Sequence, residues 1–127
     1  MRARRAEKNT PRWNPIRMAR VLLISQRPDV LAAWQKDRDG VAIPHVEALA
    51  RTFADAHANN YRFDEIYADF RDGDRTLVRS LFQTAGFNRE QVNGTVLYMD
   101  IEPGSFAEQQ KRFFSGLGMT CKEMGQA

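Results

Sequence analysis

Apolar side chains recur along this chain with two spacings, and the change from one to the other marks its elements. Val21, Leu22, Leu23 and Ile24 form an unbroken aliphatic run between Arg20 and Ser25. Such a run predicts a strand over 19–25 that is buried on both faces, as in a parallel sheet. A turn follows at 26–29. Pro28 suits the first turn of a helix over 29–36 with Val30, Leu31 and Trp34 on one side. Residues 36–40 read as a charged turn closed by Gly40. Pro44 opens a second predicted helix, to about Asn59, where Val46, Leu49, Ala50, Phe53 and Ala54 recur at helical spacing and His57 sits at the stripe's edge.

Residues 62–70 carry both signals. Phe63, Ile66, Tyr67 and Phe70 have a helical period, but the run is short and aromatic-rich, so a strand over 65–68 is the reading. Asp74 is a candidate N-cap for a helix over 75–85 that buries Leu77, Val78, Leu81 and Phe82, with Gly86 as its stop. Asn88 could cap one further turn, with Glu90 in it. Residues 95–99 read as a strand ended by Pro103 and Gly104. Ser105 with Glu108 predicts a capping box for a last helix to about Phe114, ended by Gly116 and Gly118. Residues 122–127 read as a polar tail. The sum is an α/β fold: a small helix-rich domain with a short, partly parallel sheet around 21–24. A mostly α arrangement after residue 43 is the fallback.

Charge divides the chain in two. Residues 1–17 hold Arg2, Arg4, Arg5, Lys8, Arg12 and Arg17 against Glu7, a local charge of +5, while 18–127 carries −2. Pro11 and Pro15 disfavour helix there, so residues 1–17 are expected to form a basic extended arm and 18–127 a single globular domain. The arm's cations suit an acidic protein surface, or the phosphates of a nucleic acid. Trp13 is a candidate interface anchor within it.

Other chemistry is sparse. One cysteine, Cys121, and two histidines, His45 and His57, exclude an internal disulfide, a multi-cysteine metal site and most histidine-based catalysis. There is no phosphate loop and no Gly-x-Ser-x-Gly elbow. Asp64, Glu65, Asp69, Asp72 and Asp74, interleaved with arginines, read as a solvated turn with local ion pairs, since no Glu closes a calcium loop at the required offset. No cofactor or metal is implied. No apolar run approaches membrane-spanning length and no secretory leader is evident, so a soluble intracellular protein, cytoplasmic or otherwise, is expected.

Residues 97–104, LYMDIEPG, resemble the phosphoacceptor strand of response-regulator receiver domains, in which an aspartate ends the third strand and a Pro-Gly turn follows. Asp100 would be that aspartate. The first strand, however, ends in Ser25 and Gln26 rather than in that family's acidic pair.

A longer stretch, 19–87, resembles the C-terminal half of sulfotransferases. VLLISQRPDVLAAW over 21–34 is similar to that family's buried strand running through an Arg-x-Pro-x-Asp-type turn into a helix. FDEIYADF over 63–70 is similar to its short strand ending in a Tyr-Glu-Asp-Leu motif, and TLVRSLF over 76–82 to the helix that follows. The resemblance implies a site for an anionic nucleotide. The family's phosphosulfate-binding loop is missing, however. An ungapped match puts Ser25 where that family has its phosphate-gripping Arg, and Ala33 where it has its Ser. Arg27, two residues on, is the possible anion-binding substitute.

Three functions therefore stand open. One is a non-catalytic binding or assembly protein whose basic arm docks on a protein partner. Another is a truncated or degenerate sulfotransferase-like module that binds an anionic nucleotide. The third is a nucleic-acid-binding accessory protein.

Overall fold

The computed structural model describes residues 20–125. Ten elements follow one another: β1 (Val21–Ile24), α1 (Pro28–Asp37), β2 (Val41–Ile43), α2 (Val46–Ala58), β3 (Glu65–Asp69), α3 (Thr76–Phe87), α4 (Arg89–Val92), β4 (Val96–Asp100), α5 (Ser105–Gly116) and β5 (Thr120–Glu123). The domain is α/β. The strands form one sheet in the order β2-β1-β3-β4-β5, and every pairing is parallel. The sheet is thus wholly parallel rather than partly so.

That order decides how the faces are covered. Strands are added outward from β1 to β2, then in the opposite direction through β3, β4 and β5. A right-handed crossover that reverses direction must also change face. Accordingly α1 is the one described helix on its face, where Leu31 and Trp34 meet Leu23 and Tyr67. The other face carries α2, α3 and α5. Their Leu49, Phe53, Leu77, Leu81 and Phe114 pack on Leu22, Ile24, Ile66, Leu97 and Met99. The aliphatic run of β1 is apolar because it serves both layers. Gly40 permits a close approach before β2, since a Cβ there would lie 3.0 Å from Leu23 Cγ and Val21 Cγ1.

Several boundaries differ from expectation, each for a local reason. β2 and β5 are edge strands of three and four residues, too short for an alternation signal. β5 replaces the start of the expected polar tail. α2 begins at Val46 rather than Pro44, with His45 as N-cap and its Nδ1 accepting from the Ala48 N–H at 3.1 Å. Ala50 and Ala54 are exposed on α2, and Ala56 takes the core position. Gly86 lies inside α3, which runs on to Phe87. Asp74 accepts from the Thr76 N–H at 3.0 Å and its hydroxyl at 2.6 Å, although Arg75 is the residue at the N-cap. Gly104 precedes α5 and no side chain caps it, so the Ser105–Glu108 box is not formed.

Candidate functional site

In parallel sheets of this order, ligands are held outside the carboxyl ends of the strands, at the point where strand order reverses. Here that point lies between β1 and β3. The turn after β1 presents Ser25, Gln26 and Arg27, and β3 ends at Asp69 with Arg71 just beyond. Ser25 and Asp69 are 2% exposed, and no other charged residue in the described domain is as deeply buried as Asp69.

The buried carboxylate is fully engaged. Arg27 donates from Nε to Asp69 Oδ2 and from Nη2 to Oδ1, both at 2.8 Å. Ser25 Oγ donates to Oδ2 at 2.7 Å, and the Arg71 backbone N–H donates to Oδ1 at 3.0 Å. Ser25 Oγ in turn accepts from the Arg27 N–H at 3.0 Å, which sets the turn into α1. Burial by itself pushes the Asp69 pKa up. The hydrogen bonds from Arg27, Ser25 and Arg71 outweigh it and hold the carboxyl below its ordinary value. The same hydrogen bond to Asp69 raises Arg27. Asp69 therefore belongs to a buried latch and not to a solvated acidic turn, which corrects the reading of the 64–74 cluster.

A second layer of charge lies along the same edge. Arg71 donates from Nε to Asp100 Oδ1 at 2.6 Å and pairs through Nη1 with Glu102. Gln26 bridges the edge further: its Oε1 accepts from the Leu77 N–H at 3.2 Å, at the start of α3. Each guanidinium at the crevice mouth thus meets a carboxylate from a neighbouring strand.

Of the sequence candidates, Arg27 is placed at the crevice, with 39% of its side chain exposed. Arg2, Arg4, Arg5, Lys8, Arg12, Trp13 and Arg17 lie outside the described residues. Asp100 ends the fourth strand and not the third, so the receiver-type match does not fall where that family has its aspartate. The aspartate that ends the third strand is Asp69, enclosed by Ser25 and Arg27. Sequence reading missed Ser25, Asp69 and Arg71 as a unit. The one available signal was a carboxylate, Asp69, directly after the apolar run Ile66, Tyr67 and Ala68.

Among the described residues no group of three His, Cys, Asp or Glu side chains could hold a metal ion. No described helix is long and apolar enough to cross a membrane. Cys121 is a free, half-buried thiol whose pKa burial pushes up. No family model matches the chain, and neither does any curated protein or solved structure.

Proposed function

We propose that the protein is a non-catalytic binding or assembly module whose basic N-terminal arm docks on an acidic protein partner, with the α/β domain as its folded body. The observation that carries this reading is the state of the carboxyl-edge crevice. Arg27 is forked onto Asp69, and Arg71 is clamped between Asp100 and Glu102. Groups that an enzyme would aim at a substrate are here spent on one another. The strongest unbalanced charge in the sequence is the +5 of residues 1–17. It suits electrostatic docking, with Trp13 as an apolar anchor.

The test compares 1–127 with 18–127 as baits in a lysate of the source organism, with thermal melting of both to check the fold. The full chain should retain a partner that the shortened chain loses, while the melting temperatures agree. Equal capture by both chains would overturn the reading.

A second reading is supported by the exposed part of the Arg27 guanidinium beside the start of α1. There the chain would be a degenerate sulfotransferase-like module holding an anionic nucleotide. A ligand phosphate would have to compete with Asp69 for the fork, or use the remaining Nη1. Adenosine bisphosphate at about millimolar concentration should then raise the melting temperature. No shift would count against it.

A further inference from the structure

Among the described residues, the face that carries α1 is only partly covered. Five strands at about 4.8 Å spacing are wider than one helix of about 10 Å diameter can screen. α1 lies over β1 and the near part of β3. Beyond it, Tyr67, Tyr98 and Lys122 stand in register on neighbouring strands, on one face of the sheet. The two tyrosine rings stack with centroids 4.5 Å apart and planes 9° from parallel. Arg38, from the turn after α1, lies over the Tyr67 ring at 4.6 Å from its centroid. These residues, with Met124 and the β5 backbone, line an open groove of about 560 Å³.

We propose that this groove binds a single-stranded nucleic acid segment, with one base stacked at Tyr98 and its phosphates held by Lys122 and Arg38. Three observations argue for that occupant. First, Tyr98 is only half-buried: Tyr67 takes one side of its ring and the remainder lines the groove. Presented aromatic rings on a sheet are platforms for bases, which all have a π-face.

Second, the groove is cationic. Arg38 and Lys122 have no carboxylate within ion-pair distance among the described residues. The third cation of the groove, Lys111, is neutralised by Glu108 at 3.0 Å and by Glu123, which also lines the groove, at 2.5 Å. Glu65 lies on the same face, where it accepts from the Tyr67 hydroxyl at 3.2 Å. An occupant that meets Arg38 and Lys122 should therefore be anionic. That disfavours the chain's own basic arm, and it disfavours a second copy, whose cations would face their equivalents.

Third, the groove is open rather than enclosed. A free nucleotide gains most from an enclosing pocket. A strand can instead pass through and add phosphate contacts on either side. None of the groove residues named belongs to residues 1–17, so the two proposals can fail independently.

The experiment is fluorescence anisotropy of a labelled oligothymidylate of about ten nucleotides with the full chain, at about 50 and about 200 mM salt. Saturable binding is expected. Tyr98→Ala should weaken it roughly tenfold, and Tyr98→Phe, which keeps the ring, should stay within about twofold. Lys122→Glu, at an exposed position, should weaken binding and flatten its salt dependence by at least about one phosphate contact. Should Tyr98→Ala melt early, Tyr98→Leu keeps the apolar contact without the ring, and should still lose affinity. No binding would overturn the proposal. So would equal binding by wild type, Tyr98→Leu and Lys122→Glu, which would place the oligonucleotide on the arm. Displacement by polyglutamate as effective as by unlabelled oligonucleotide would make the groove a peptide site. Thymidine monophosphate binding as tightly as the oligonucleotide would make it a nucleotide pocket.

Discussion

Arg27 and Asp69 meet as a fork on a fork: Nε and Nη2 of the guanidinium each lie 2.8 Å from a different oxygen of the carboxylate. The two residues are 42 positions apart in the chain, and their pairing closes the crevice between β1 and β3. The burial is unequal, since the Asp69 side chain is wholly enclosed and that of Arg27 is 39% exposed.

That inequality predicts unequal costs. Arg27→Ala leaves a buried carboxylate with only Ser25 and one backbone N–H, a loss of about 3 kcal/mol by the usual cost of stranding a buried charge. Asp69→Asn leaves a guanidinium that can turn to water, and should cost about 1–2 kcal/mol. The double variant should recover part of the Arg27→Ala loss. Urea denaturation of the four proteins measures this, and strict additivity would mean that the pair is not coupled.

Acid should weaken the same latch. The Asp69 carboxyl is held below its ordinary value in the folded chain, so on acidification the unfolded chain takes up that proton first. The contribution of the pair is complete above the unfolded value, about pH 4. It is lost as pH falls through the folded value. Stability of wild type should therefore fall below about pH 4 more steeply than that of Asp69→Asn. Melting temperatures between about pH 2 and 6 test this, and parallel curves would speak against it.

Two phenylalanines of similar sequence setting should behave in opposite ways. Phe53 on α2 is 1% exposed and packs on Phe63, with centroids 4.8 Å apart. Phe53→Ala should cost about 3–5 kcal/mol through lost burial and the cavity left behind. Phe87 at the end of α3 is 89% exposed. Phe87→Ala should stay within about 0.5 kcal/mol. Chemical denaturation of both variants measures this, and a loss for Phe87→Ala as large as that for Phe53→Ala would speak against it.

Cys121 should be a sluggish nucleophile. Burial raises its pKa and keeps the thiol protonated near neutrality, against smaller opposing effects of Ser115 and Lys111. Alkylation of the native chain at about pH 7.5 should run at least about tenfold slower than that of the urea-unfolded chain. Equal rates would show that β5 leaves the thiol open.

Local pattern alone was enough to place α1, α2, α3, α5, β1, β3 and β4 to within a few residues. Periodicity, proline and end signals are properties of neighbouring residues, and they survive without knowledge of what packs where. Leu31, Trp34, Leu49, Phe53, Leu77 and Leu81 were legible as core for the same reason. The edge strands β2 and β5 were not, because three or four residues pairing on one side carry too little pattern. Nor was the run of α3 through Gly86 to Phe87, because glycine at that spacing reads as a stop. The strand order lay wholly beyond local pattern. It arises from which crossovers pack, and it alone brings Arg27 to Asp69 and Arg71 to Asp100. The same reversal of strand direction leaves α1 as the one described helix on its face, which is why Tyr98 and Lys122, unremarkable in the sequence, come to line an open groove.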